Sequence, residues 1–172
     1  MLFEKYLMPD KIFDSFEEVT PEMLKALGIR HIFSDIDNTL ATYDDLTPPE
    51  NVIRWCQTMT DAGITVSFFS NNKAARVESF NRELQHLAYW KAGKPRIKVL
   101  RRAMEAVHAE PEDSLTLGDQ LLTDCAAGKR VGMRVFIVPP IKDKTNLFWK
   151  VKRVIERPYM KKYRKIHGED RI

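Results

Sequence analysis

Two carboxylates stand one residue apart in the stretch HIFSDIDNTL, where Asp35 and Asp37 close a run containing Ile32 and Phe33. Carboxylates are costly to place beside an apolar interior unless a cation meets them. A third, Asp119, ends a second apolar run in SLTLGDQ, and Asp124 follows five residues later. Such an oxygen-rich set suits a hard divalent cation such as Mg²⁺, which keeps waters in its shell and leaves room for a phosphate oxygen. A carboxylate can also carry a phosphoryl group, splitting one difficult displacement into two. A neighbouring carboxylate of different proton affinity can then protonate the departing alcohol and deprotonate the attacking water. Phosphoryl transfer further needs hydroxyl, amide and ammonium donors around the transferred group; Thr39, Ser70, Asn71 and Lys94 carry those chemistries.

Each of these features has a plainer reading when taken alone. A single DxD fits a surface turn or the metal clamp of a nucleotide-sugar transferase. Ser70-Asn71-Asn72 fits a helix N-cap, and Asp124 could cap a helix beginning near Cys125. Lys94 alone fits a solvated lysine, with Lys91 or Lys98 as substitutes. His31, His86, His108 and His167 show no metal-ligand spacing and read as structural or surface residues.

The surrounding pattern predicts the elements that must position these groups. Thr20-Pro21-Glu22 supplies an N-cap, a proline at the first helical position and an early acid, with Gly28 as the stop. Strands are expected over 29–34, 64–69, 88–90, 114–117 and 134–138. Helical spacing of apolar residues marks the segments between them: Val52, Trp55, Cys56 and Met59; Val77, Phe80, Leu84 and Leu87; Leu100, Ala103, Met104 and Val107; then a short helix over 126–131. Strands alternating with helices, and apolar on both faces, predict a parallel sheet between helical layers. Ligands in such sheets bind at the carboxyl ends of strands, near a topological switch point. Asp35, Ser70 and Asp119 each follow a strand directly, so all three are expected on one rim.

Taken in order, Asp35-Ile36-Asp37-Asn38-Thr39, Ser70-Asn71, Lys94-Pro95 and Gly118-Asp119 with Asp124 resemble the four motifs of the haloacid dehalogenase (HAD) superfamily. Within it the chain resembles the IIIA-type branch and the bacterial YqeG family, through YLMPD, GIRHIFSDIDNTL and SNN. That family is related to mitochondrial phosphatidylglycerophosphate phosphatases. The resemblance implies a three-layer α/β/α Rossmann-like fold with a mainly parallel sheet, and a phosphomonoester hydrolase working through an aspartyl-phosphate on Asp35. Asp37 would be the acid and base, and Thr39, Ser70, Asn71 and Lys94 the phosphate ligands. Mg²⁺ would be held by the side chains of Asp35 and Asp119 and the backbone carbonyl of Asp37, with Asp124 supporting the metal or its waters. Related phosphatases often insert a cap after the first motif or between the second and third. Here eleven positions separate Asp37 from Pro48 and 24 separate Ser70 from Lys94, so no cap domain is expected. An open site favours large or surface-bound phosphomonoesters over small free metabolites. Phosphatidylglycerophosphate is the substrate the resemblance favours.

Composition sets the outer bounds. A chain of 172 residues with 44% hydrophobic and 30% charged residues predicts one domain over 1–172 with a sizeable core. No apolar run reaches the length of about 20 residues needed to span a bilayer, and the first residues lack the pattern of a signal peptide. Cys56 and Cys125 are isolated and expected to be reduced, as in a cytoplasmic protein. From Lys142 to Arg171 eleven Lys/Arg face four Asp/Glu, a net +7, whereas the remainder carries −3. A helical tail from about 145 would pack Leu147, Phe148, Val151, Val154 and Ile155 on the sheet as a closing helix. Its basic residues after Pro158 suit peripheral contact with an anionic membrane, at the inner face of the bilayer, or with RNA. The alternatives to the lipid substrate are a nucleic-acid end, a phosphoprotein or a phosphosugar, or an RNA- or ribosome-associated binding module with residual phosphatase activity.

Overall fold

The computed structural model describes residues 4–142 and 147–168, with side chains described outside 147–153. Six strands form one parallel sheet: β1 (Lys11–Ile12), β2 (His31–Ser34), β3 (Thr65–Phe69), β4 (Leu87–Tyr89), β5 (Ser114–Gly118) and β6 (Arg134–Ile137), in the order β1-β6-β5-β2-β3-β4. Five of the six lie where the apolar runs predict them, within a residue or two at the ends. The edge strand β1 is too short to show any alternation and was not expected.

Side chains alternate across the sheet as strand geometry demands. Ile32, Val66, Phe68, Leu115, Leu117 and Phe136 enter a core shared with α2 (Pro21–Ala26), α3 (Glu50–Asp61) and α4 (Ala74–Leu84). Phe33 and Phe69 face the opposite layer, where α5 (Lys98–Ala106) and α6 (Ala126–Val131) contribute Leu100, Ala103, Met104 and Ala127. These are the two helical layers of an α/β/α sandwich. The predicted cap of α2 is present, with Thr20 Oγ1 accepting from Met23 N at 3.3 Å. A short N-terminal helix α1 (Glu4–Leu7) adds Leu7 to a third cluster with Leu121, Cys125, Val135 and Ile137. Cys56 and Cys125 are buried free thiols.

The last helix, α7 (Leu147–His167), departs from expectation in its buried face. Pro158 lies inside it and does not end it. Of the predicted apolar face, Val154 is 60% exposed and Ile155 47% exposed, while Leu147, Phe148 and Val151 fall outside the described side chains. The helix is instead seated through Tyr159, Met160 and the buried Tyr163, whose hydroxyl accepts from Ile12 N at 3.2 Å. An aromatic able to satisfy the open edge of β1 outweighs a wider apolar stripe there. Among the described residues no helix is long and apolar enough to cross a membrane.

Candidate active site

The strand order decides where the motif residues meet. β2 lies between β3 and β5, the point at which the chain, having built β2, β3 and β4 outward, returns to the other side of β2. Asp35, Ser70 and Asp119 leave those three adjacent strands at their carboxyl ends. Asp35 N still donates to Leu117 O at 2.9 Å and Ser70 N to Tyr89 O at 2.9 Å, so both residues are fixed by the last rungs of the sheet. The chain then turns sharply. The Ile36 carbonyl accepts from Leu40 N at 3.0 Å and Ala41 N at 3.1 Å, and Asn38 takes the left-handed conformation at φ 66°.

Asp35, Asp119 and Asp124 form a buried group, each offering one oxygen within 4.8 Å of the others. Lys94 reaches into it, its Nζ 2.9 Å from Asp35 Oδ1 and 2.7 Å from Asp124 Oδ1. Lys91 and Lys98 stay exposed. The second oxygen of Asp124 accepts from Gln120 N at 3.2 Å and Thr123 Oγ1 at 3.3 Å. Asp124 sits in a single wide turn, Leu121–Cys125, wound with π-helical spacing, the kind of distortion that recurs at functional sites. Gly118 makes this approach possible, because a Cβ there would lie 2.3 Å from both Cβ and Cγ of Asp124.

One ammonium cannot neutralise three carboxylates, and burial together with the neighbouring charges shifts their titration. Burial, reinforced by Asp124, pushes Asp35 up to about 7, with Lys94 pulling the other way. Asp119 is raised by burial and then by Asp124 and Asp35. Burial opposes the charge of Lys94, but Asp124 and Asp35 more than offset it and raise its pKa. Asp119 accepts from Gln120 Nε2 at 3.3 Å on Oδ1, whereas its buried Oδ2 has no hydrogen-bond partner. Surplus negative charge, hard oxygen donors and an orphaned buried oxygen together fit a divalent cation.

Asp37 lies in a different setting. Its Oδ2 accepts from Asn72 Nδ2 at 2.9 Å and its Oδ1 from Arg76 Nε at 3.0 Å. Arg76 also donates through Nη2 to Thr42 O at 3.0 Å, and its Nη1 is buried without a partner. The Asp37 carboxylate therefore stands outside the metal-competent trio. The Tyr43 phenol is pushed up by burial and by Asp35, Asp37, Asp119 and Asp124, which places its ring in the field of the whole acidic rim.

The donor residues divide by what they already hold. Ser70 Oγ accepts from Asn72 N at 3.0 Å, so it does cap the turn before α4. The Asn71 side chain is engaged at both ends with the backbone of Lys94, donating to its carbonyl at 3.2 Å and accepting from its N–H at 2.8 Å. It thus fixes the loop that delivers Lys94, ahead of the cis Lys94–Pro95 peptide. Thr39 Oγ1 and Asn38 Nδ2 are buried and unpartnered. Asn72 and Arg76 are absent from the sequence-derived set. Arg76 lies in the first turn of α4 and Asn72 in the bend just before it, directly after Ser70-Asn71, and no local pattern singles them out.

The segments where a cap would be inserted hold only turns between Asp37 and Pro49, and α4 and β4 between Ser70 and Lys94. Comparison with known proteins agrees with this frame. Residues 91–140 match the HAD-hydrolase-like family. The protein called probable phosphatase YqeG from Bacillus subtilis (strain 168) is 33% identical over 156 residues, covering 91% of this chain and 91% of that one. Among solved structures, a Vibrio cholerae protein named for 3-deoxy-D-manno-octulosonate 8-phosphate phosphatase superposes with TM-score 0.56 at 19% identity, over 72% of this chain and 74% of its own. A HAD superfamily (subfamily III A) hydrolase from Legionella pneumophila gives TM-score 0.50 at 19% identity, over 69% and 71%. The structural matches share the fold; identity along nearly the full length of the Bacillus protein, with the acidic rim assembled as that chemistry requires, places this chain in the YqeG family of HAD-type phosphatases.

Proposed function

We propose that the protein is a Mg²⁺-dependent phosphomonoesterase that acts through an aspartyl-phosphate on Asp35, with phosphatidylglycerophosphate at an anionic membrane surface as its substrate. The observation that carries the chemistry is the buried trio Asp35, Asp119 and Asp124 with a single ammonium, Lys94, between two of them. An Asp35 oxygen attacks phosphorus as the bond from phosphorus to the leaving oxygen breaks, and Asp37 delivers the proton that the leaving alkoxide needs. Asp37 then takes a proton from water, whose oxygen attacks phosphorus and releases inorganic phosphate and the Asp35 carboxylate. For either step the Asp37 side chain must let go of Asn72 or Arg76, consistent with catalytic hydrogen bonds that form only with substrate in place. Asp35, Asp119 and the Asp37 backbone carbonyl, with Asp124 in support, would hold Mg²⁺, which would supply charge neutralisation at the phosphoryl oxygens. Lys94, Ser70 Oγ and the unpartnered Thr39 Oγ1 provide the remaining donors.

Two features favour a lipid. The rim is open because no cap covers it, so water exclusion must come from the substrate or the surface it sits on. The relationship of the family to phosphatidylglycerophosphate phosphatases then selects among bulky phosphomonoesters. The test is phosphate release from a panel (an aryl phosphate, vesicle-borne phosphatidylglycerophosphate, a 5′-phosphorylated RNA, a phosphopeptide and a phosphosugar), with Mg²⁺ added or chelated. Asp35→Asn should lower all metal-dependent turnover by about 10³-fold or more, and the lipid should be the fastest substrate. Turnover that survives Asp35→Asn removes Asp35 as nucleophile, and a faster non-lipid substrate replaces the lipid.

A further inference from the structure

A groove of about 610 Å³ runs between α7 and the carboxyl ends of β1 and β6, and Asp119 is among the residues that line it. Its volume is that of an ordinary small-molecule site. The walls are of two kinds. Leu121, Val138, Pro139 and Met160 give an apolar surface, while Arg157, Lys161 and Arg164 stand along the α7 side. These three cations are exposed, fall at i, i+4 and i+7 on one helical face, and have no ion-pair partner among the described residues. Two acids also border the groove away from Asp119. Glu156 is tied to Leu122 N at 3.2 Å, and Asp14 lies on the wall opposite α7. The α7 wall is therefore positive at the point where the groove leaves the acidic rim.

We propose that this groove is the leaving-group subsite, and that it binds an amphipathic moiety carrying a second anion, a phosphodiester with apolar chains attached. The inference rests on the phosphatase reading of the rim, which it deepens by assigning substrate selection to α7. Three geometric facts support it. The groove is continuous with Asp119, so a phosphoryl group at the rim and its leaving group in the groove belong to one molecule. An apolar floor beside a row of cations matches a ligand that is apolar and anionic at once, and neither wall alone would require that combination. Finally, α7 supplies one wall of the groove that also reaches Asp119, so its side chains are placed to meet what extends from the rim. Arg157, Lys161 and Arg164 are specificity residues in this scheme, since none of them reaches the reacting atoms.

Calorimetric binding of dihexanoylphosphatidylglycerol, below its micelle concentration, tests the subsite without requiring turnover. This probe carries the diester and the chains but no phosphomonoester. The full chain should bind it, and Arg157→Glu/Lys161→Glu/Arg164→Glu should raise its Kd by tenfold or more. A control of equal charge change on exposed positions outside the groove, Arg82→Glu/Lys98→Glu/Arg101→Glu, should raise it by less than threefold. Glycerophosphoglycerol, the same diester without chains, should bind at least tenfold more weakly than the lipid. Absence of lipid binding, equal loss in the control, equal affinity for the deacylated diester, or tighter binding of a 12-nucleotide oligouridylate each overturns the proposal. Phosphate release from the aryl phosphate, compared with Asp35→Asn, is read in parallel. If lipid binding depends on α7 while turnover ignores Asp35, the subsite stands and the catalytic reading falls.

Discussion

Asp35 and Asp37 are separated by one residue yet occupy opposite electrostatic settings. Asp35 looks inward at two further carboxylates and shares one lysine with one of them, Asp124, and burial with Asp124 lifts its pKa to about 7. Asp37 looks across to the start of α4 and the bend before it, where the Asn72 amide and the Arg76 guanidinium take both of its oxygens. The sharp turn after β2, with Asn38 left-handed, throws the two side chains into these separate neighbourhoods. A difference in role between two identical side chains is thus a difference in what the neighbouring strands and helices present to them.

The widest breach of this contrast is expected from Lys94→Met. It removes the ammonium that lies against Asp35 and Asp124 and leaves buried carboxylates uncompensated, at a cost of about 3–5 kcal/mol. Denaturant unfolding of the metal-free protein should show that loss, and saturating Mg²⁺ should restore part of it; a loss below about 1 kcal/mol would mean that Lys94 does not balance the trio.

Next in size is a pH effect whose sign is fixed by the raised pKa of Asp35. A carboxyl group with a folded pKa near 7 and an ordinary value near 3.8 when unfolded binds more protons in the folded state. Its contribution to stability is therefore lost as pH rises between those values, on the order of 2–4 kcal/mol in the absence of metal. Asn does not titrate, so the stability of the native protein minus that of Asp35→Asn should fall from pH 4 to pH 7. Added divalent cation should flatten the fall, since it binds the ionised form. A difference that is constant with pH would place Asp35 in a far more polar setting than the structure gives it.

The smallest effect belongs to the other neighbourhood. Arg76→Gln keeps a donor near Asp37 but removes its charge, and kcat is expected to fall about tenfold with metal affinity unchanged. Equal losses in metal binding would join the two settings into one.

The sequence made the inward neighbourhood readable and the outward one much less so. Asp35, Lys94 and Asp119 each sit beside a strong local signal, either the end of an apolar run or a proline or glycine that punctuates the chain, whereas Asp124 has none and entered through the family resemblance. Their meeting then follows from the carboxyl-end rule for parallel sheets. Arg76 sits in an unremarkable first turn of a helix and Asn72 in the bend before it, where polar residues are expected to face water. Only the tertiary placement of α4 against the turn after β2 gives them a partner. Asn71 shows the same limit from the other side, because its type suits a phosphate contact while its actual hydrogen bonds go to the Lys94 backbone. The apolar spacing of α7 marked a helix correctly, but Val154 and Ile155 of its expected buried face are exposed. Amphipathic periodicity says that a helix has a face, but Tyr163 and the open edge of β1 decide which part of it is covered.

That edge has a bearing on the order in which the molecule can be completed during synthesis. β1 has two residues, its neighbour β6 lies more than 120 positions downstream, and the Ile12 amide meets its phenol only at Tyr163. The Glu4–Lys162 ion pair fastens the same two ends. A nascent chain leaving the ribosome can therefore assemble β2, β3 and β4 early, while residues 4–12 wait without a docking place. β1 is completed after strands that are translated later than it, and premature termination anywhere before α7 would leave a strand edge open to other chains.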